Sequence, residues 1–315
     1  MGFTFSFPFH QTALDAGDLI RWTKGYSATG VVDQDVIAPL RRACRKKGIK
    51  IDDFILINDT VGTLLSGAFE NSECTIAVIN GNGTNACYIE KISDVTKWTH
   101  PSVVTSILIN TEWGSFGDKR ELAAYYTDVD TIVDKESINP GEQLFEKMVS
   151  GFYIGEIVRN TILITFENGI IFCGGLPSKM REANSFRTSL VLHVYNKDVF
   201  LRKFNKHFDY NLDDVQYGAI FKVCDAVIRR AAGLCAAGLS ALIVKVNRKF
   251  SRIAVDGFVF KKTPVFLQFV KEYTQEILPK DFEFDTMLVN DGPGKGAALA
   301  LCIVRENIKP IEVYK

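Results

Sequence analysis

Asn58-Asp59-Thr60-Val61-Gly62-Thr63 directly follows the apolar run Phe54-Ile55-Leu56-Ile57. A buried strand ending this way delivers an amide and a carboxylate to its C-terminal edge, where open α/β sheets hold ligands. A carboxylate placed there can take the proton from a substrate hydroxyl as that hydroxyl attacks. The same Asp equally fits a helix N-cap after a strand. Two further runs share the pattern. Ser106-Ile107-Leu108-Ile109-Asn110-Thr111 ends in Glu112-Trp113-Gly114, and Thr75-Ile76-Ala77-Val78-Ile79 runs into Asn80-Gly81-Asn82-Gly83-Thr84-Asn85. Three strands ending in such groups suit a polyhydroxylated ligand and a phosphate.

The glycine turns are the candidates for the phosphate. Gly81, Asn82, Gly83 and Thr84 form a turn whose backbone N–H groups could approach an anion closely, although Asn-Gly is also the usual hairpin dipeptide. Gly292-Pro293-Gly294-Lys295-Gly296 follows a strand, Asp285–Val289, and leads into a helix expected from Ala297. That arrangement binds anions through the helix dipole and free N–H groups. It does not fit the GxxxxGK[ST] pattern, so it is not a P-loop. Asp256-Gly257 ends another strand and reads either as a turn or as part of a nucleotide site. Glu112 and Glu146 sit in apolar surroundings and need partners, which sugar hydroxyls would supply. Glu146 lies on an amphipathic helical stretch from Glu142 to Arg159, and its pattern favours a solvated position. Lys24, beside Trp22 and Thr23, could orient a hydroxyl or be an ordinary surface lysine.

The elements that must position these groups read as α/β. Phe3, Phe5 and Phe7 alternate with Thr4 and Ser6, as in a strand that needs sheet neighbours. Residues 14–48 read as loop and helix. Residues 163–173 alternate like a hairpin about Asn168-Gly169, and Phe221 to Val246 reads as a long apolar helix with a small-residue patch at Ala231–Gly238. The chain has 315 residues, enough for one or two domains, and 37 basic residues balance 37 acidic ones, so no basic excess points to nucleic acid. No apolar stretch reads as long enough to span a membrane, and the N-terminus does not resemble a signal peptide. Seven scattered cysteines without a CxxC pair fit a reducing, cytoplasmic setting, and four dispersed histidines offer no metal-binding spacing.

These residues resemble the eukaryotic hexokinases, including glucokinase. The matching motifs run nearly end to end: Gly2–Pro8, Leu14-Asp15-Ala16-Gly17, Trp22-Thr23-Lys24-Gly25, Asn58–Thr63, Gly83–Tyr88, Asn110–Asp118, Gly155–Arg159, Val255-Asp256-Gly257 and Asp291–Leu299. The resemblance implies an actin-like, two-domain ATPase fold, ribonuclease H-like, that closes on a hexose and moves the γ-phosphoryl of MgATP to the 6-hydroxyl. It implies Asp59 as catalytic base, with Lys24 beside it. The sugar would be held by Ser6, Thr23, Lys24, Asn58, Asp59, Asn85, Glu112, Gln143 and Glu146. The nucleotide would be held by Gly81, Asn82, Gly83, Thr84, Asp256, Gly257, Gly292, Gly294 and Lys295, with ATP and Mg2+ as co-substrate. No resident metal site is expected.

The implied organisation is a small-domain remnant at 1–57, a large domain at 58–291 and a return to the small domain at 292–315. The chain departs from the family pattern in places. The first phosphate loop, Asp-Leu-Gly-Gly-Thr-Asn, would precede Gly2, so the small domain is expected to be incomplete and activity weak. Asn82 stands where a Thr is usual, and Pro293 where a Ser is usual, which removes a hydroxyl and an N–H. The alternative to a working hexokinase is therefore a catalytically weak or silent chain that binds sugar or regulates.

Overall fold

A computed structural model describes residues 1–99, 104–171 and 175–306. In chain order, β1 (Gly2–Thr4), β2 (Phe9–Ala13) and β3 (Ala16–Leu19) precede α1 (Ile37–Lys46), β4 (Ile55–Ile57) and α2 (Asp59–Glu70). Then come β5 (Cys74–Asn80), β6 (Thr84–Lys91), β7 (Ser106–Asn110), α3 (Asp128–Lys135), α4 (Leu144–Val149), α5 (Ile154–Glu167), α6 (Thr188–Val191) and α7 (Lys197–Phe208). The last elements are α8 (Asp214–Val246), β8 (Phe250–Asp256), α9 (Phe258–Lys262), α10 (Pro264–Ile277), β9 (Glu283–Leu288) and α11 (Gly292–Glu306).

The main sheet has the order β7-β6-β5-β8-β9, antiparallel on the β6 side and parallel from β5 through β9. The central parallel strands β5 and β8 are largely buried, as strands covered on both faces must be, whereas the outer strand β9 is only partly buried and carries Glu283 and Asp285. Helix α8 supplies much of one cover. Its buried residues Ile220, Cys224, Val227, Ile228, Ala231, Cys235, Leu239 and Ile243 recur every three or four positions. A reciprocal capping box between Asp213 and Gln216 starts it. By length and composition α8 would suffice to cross a membrane, contrary to the sequence expectation that no stretch would, but half of its most apolar window is buried within this fold.

The opening phenylalanines have neighbours after all. Strand β1 pairs in parallel with β4, with Phe3 opposite Leu56. Phe3, Phe5, Phe7, Phe9 and Trp22 pack against buried Leu19, Val36, Ile37, Phe54 and Leu56. The stretch read as loop before α1 contains half of a β2–β3 hairpin. Behind β1 and β4 lies α11, whose Ala297 and Ala300 pack on Ile55 and Ile57. Helices α2 and α11 cross at backbone contact: a Cβ on Gly296 would lie 1.8 Å from the Gly62 carbonyl oxygen.

Three expectations about helices need correction. The stretch Glu142–Arg159 is two helices, α4 and α5, broken at Ser150–Tyr153. Residues 163–167 continue α5 and are not a hairpin strand. Gly169, at φ 70°, ends that helix, with the Ile170 N–H donating to the Thr165 carbonyl. Residues 172–174, which include Cys173, lie outside the described residues, as do 307–315. Finally, α11 begins at Gly292 itself, not at Ala297.

Candidate active site

Asp59 is the first residue of α2 and follows β4 after one residue, Asn58. The helix cap falls to that neighbour: Asn58 Oδ1 accepts from the Thr60 N–H at 2.8 Å. One Asp59 oxygen also accepts from Thr60 N–H, at 2.9 Å, yet the side chain stays half-buried and faces a cavity of about 370 Å3. The two readings of this stretch thus fall on two residues, the amide capping and the carboxylate reaching the cavity.

The same cavity is lined by Ser6, Thr23, Lys24, Asn85, Glu112, Gln143 and Glu146. Of the nine sugar-site candidates only Asn58 does not line it, and its amide lies 3.5 Å from Glu112 Oε1. Ser6 comes from the segment after β1. Lys24 comes from the loop after β3, its ammonium bonded to the Ser6 carbonyl and 5.1 Å from the centre of the Phe7 ring. Asn85 comes from β6, Glu112 from two residues past β7, and Gln143 and Glu146 from the start of α4.

Three of these residues sit in the left-handed region without being glycine: Lys24 at φ 59°, Glu112 at φ 48° and Gln143 at φ 58°. Such backbone persists only where surrounding contacts over-determine it, and it gathers at ligand sites. Nothing in their residue types signals this beforehand.

Glu146 is 3% exposed, so the solvated helix position favoured by its pattern is overturned. Its Oε2 accepts from the Thr84 N–H at 3.0 Å, while its Oε1 is buried without a hydrogen-bond partner among the described residues. Burial pushes its carboxyl up to about 7, against the opposing pull of Lys24 and the Thr84 N–H. Thr23 Oγ1 is likewise buried and unpartnered. Two orphaned polar atoms at the edge of one cavity are costly unless a ligand supplies the missing bonds. Thr84 itself is held by two more contacts, accepting from Trp113 Nε1 at 3.2 Å and donating to the Ile79 carbonyl at 3.0 Å. Trp113 therefore supports Glu146 from behind, a role the sequence pattern does not announce.

Gly83 is where the glycine turn meets the sugar side. A Cβ there would stand 2.2 Å from Lys24 Cε and 2.4 Å from Glu146 Oε2. Gly81, Asn82 and Thr84 line the same cavity, so the β5–β6 turn runs along its rim. Asp256 and Gly257 lie beside that turn, since a Cβ on Gly257 would meet the Asn80 carbonyl at 2.2 Å. The Asp256 carboxylate is paired with Lys261 and accepts from the Gly292 N–H at 3.2 Å, which joins the end of β8 to the start of α11. Lys261, five residues past Asp256, is a partner the motif reading missed. Lys295 is exposed, and its ammonium lies 3.7 Å from Glu70 on α2.

The chain is similar to known proteins in both sequence and fold. Two family models, both described as hexokinase, match residues 1–69 and 75–303. The chain is 38% identical over 319 residues to a hexokinase of Schistosoma mansoni, covering 98% of this chain and 69% of that protein. It is 38% identical to human hexokinase-3 over 315 residues, but spans only 34% of that protein's length. A solved Schistosoma mansoni hexokinase complexed with glucose superposes with a TM-score of 0.87 at 36% identity, over 94% of this chain and 68% of that one. A ROK family glucokinase from Streptomyces griseus, solved with glucose and AMPPNP, superposes with a TM-score of 0.53 at 12% identity, over 90% of this chain and 76% of that one, and supports the shared actin-like fold alone. With two matching family models, a common fold and one cavity gathering the acidic and amide side chains, this chain belongs to the hexokinase family.

Proposed function

We propose that this chain binds a hexose, with glucose the first candidate, in the cavity between Asp59 and Glu146, and transfers the γ-phosphoryl group of MgATP to its 6-hydroxyl. The observation that carries the reading is the convergence there of Asp59, Lys24, Thr23, Asn85, Glu112, Gln143 and Glu146, with two buried polar atoms unmet. Carboxylates accept two or more hydrogen bonds each, which suits a ring of hydroxyls. Asp59 accepts the proton of the attacking hydroxyl. The hydroxyl oxygen forms the new bond to the γ-phosphorus, and ADP departs with the electrons of the broken P–O bond. Catalysis of this kind relies on positioning and charge stabilisation. Lys24, which lines the same cavity, supplies positive charge there.

The nucleotide side fits in part. The β5–β6 turn borders the cavity, so phosphates lying along it would meet the sugar near Asp59. The start of α11 offers a helix N-terminus, which favours anions. We also place the chain in a reducing, cytoplasmic setting, consistent with its six described cysteines being free.

A second reading, hexose binding with little or no turnover, is favoured by the same nucleotide side. Pro293 offers no N–H, exposed Asn82 stands in the turn, and Lys295 is directed to Glu70. Calorimetry with glucose, followed by a coupled assay for glucose 6-phosphate with MgATP, separates the readings. Saturable glucose binding and turnover of about 1–100 per second support the kinase. Binding without turnover supports the second reading, and no binding to the folded protein defeats both.

A further inference from the structure

Asn110, the last residue of β7, does not line the hexose cavity, yet it bonds to two residues that do. Its Nδ2 donates to Glu112 Oε1 at 2.9 Å, and its Oδ1 accepts from Asn85 Nδ2 at 2.8 Å. Asn85 Nδ2 also donates to Glu112 Oε1, at 2.9 Å, which closes a ring of three side chains. Both amides aim at the same carboxylate oxygen. Among the described residues no hydrogen bond reaches the other one, Oε2. The ring is anchored at its far side as well, for Thr60 Oγ1 lies 3.4 Å from Asn110 Oδ1, and Thr60 belongs to the helix that begins with Asp59.

We propose that Asn110 is a positioning residue for hexose recognition: it fixes Glu112 Oε1, so that Oε2 is presented to the sugar, and it holds the Asn85 amide in the same step. The proposal rests on the reading that the cavity takes a hexose. Glu112 needs such help because its backbone is in the left-handed region at φ 48°, where neighbouring contacts must hold the conformation. A carboxylate bonded through one oxygen keeps its charge and its orientation while the other oxygen stays open. A role confined to ending β7 would be met by any residue whose backbone completes the strand. It would not require an amide with one face on each of two cavity residues.

Asn110→Asp tests this, because it keeps the shape and replaces the donor by an acceptor that faces Glu112 Oε1. Losing one hydrogen bond to a charged group predicts glucose Kd about ten- to a hundred-fold weaker at pH 8. That deficit relative to the unmodified protein should shrink as the pH is lowered to 5.5, since the introduced carboxyl, pushed up by the Glu112 carboxylate it faces, regains a proton and a donor. Taking the ratio at each pH cancels the titration of Glu146, which both proteins share. A merely structural role would leave the ratio independent of pH. Should that variant fail to fold, Asn110→Ala carries the affinity measurement. A cycle of Asn110→Ala and Glu112→Ala, read as Tm without sugar, should give a double variant whose loss is smaller than the sum of the two single losses. An unchanged Kd, a ratio flat with pH, or additive Tm losses would each overturn the proposal. If the unmodified protein binds no glucose, the functional reading fails, and the Tm cycle alone decides whether Asn110 holds Glu112.

Discussion

Replacing Glu146 by Gln should make the sugar-free protein more stable and a poorer binder at the same time. Glu146 has its carboxyl raised from 4.5 to about 7 by burial. Because the folded-state value lies above the unfolded one, the native state holds the proton more tightly. Below about pH 4.5 both states are protonated and the group contributes nothing. As pH climbs from 4.5 to 7 the unfolded chain gives up its proton first, and stability falls by about 1.4 kcal/mol per unit, roughly 3 kcal/mol in all. Gln does not titrate and still accepts from the Thr84 N–H. Its new amide donor, left where Oε1 is now unpartnered, gives back about 1 kcal/mol. The net gain at pH 8 is then about 2 kcal/mol. Unfolding entropy of about 2.1 cal/mol/K per residue converts this, over 315 residues, into a Tm rise of about 3 °C. Scanning calorimetry from pH 4.5 to 8 should show the variant slightly the less stable at the acid end, by about 1 kcal/mol, with the two curves crossing and the variant ahead towards neutrality. Glucose calorimetry at pH 8 should show the variant about ten-fold weaker or worse, since it has lost a charged acceptor. A variant no more stable than the parent at pH 8, with glucose affinity intact, would refute both the burial argument and the role of the carboxylate.

Asp59→Ala should cut turnover by at least about two orders of magnitude and leave glucose binding measurable, as removal of a positioned base does; near-normal rates in the coupled assay would rule Asp59 out as the base. Gly83→Ala puts a methyl group where Lys24 Cε and Glu146 Oε2 now lie, 2.2 and 2.4 Å from its ideal position, so glucose affinity should drop at least about ten-fold with little change in Tm. Unaltered affinity would mean that the sugar does not use this end of the cavity. Gly296→Ala must push α11 away from the Gly62 carbonyl, 1.8 Å from the added Cβ, and should cost about 1–3 kcal/mol in urea titrations. An unmoved midpoint would show that the helix crossing tolerates more separation than its geometry implies.

The strand-end groups were legible because a short apolar run followed at once by polar residues has few other readings. Asn58, Asp59, Asn85 and Glu112 could all be picked this way. Glu146 could not. Helical spacing places it on a face but does not say which side that face meets once the chain breaks at Ser150–Tyr153. Asn168-Gly169 misled for a related reason: a residue pair able to leave the right-handed region serves a hairpin and a helix end equally well. Long-range partners are the other blind spot. The Thr84–Trp113 and Asn85–Asn110 contacts depend on sheet register, which is set by pairing between strands rather than by either strand alone. The left-handed backbone at Lys24, Glu112 and Gln143 has no residue-level signal, since none of the three is a glycine or an asparagine.

The close crossing of α2 and α11 has a practical corollary. With backbone seated on backbone, the two helices form a single stiff lever whose one arm starts at Asp59 and whose other arm carries the exposed thiol of Cys302. A dye attached to Cys302 is thus mechanically tied to the proposed base without touching the sugar. Its distance to a second label on the outer surface of α8 would record any rotation of that lever when a ligand arrives, in a protein whose chemistry is left untouched.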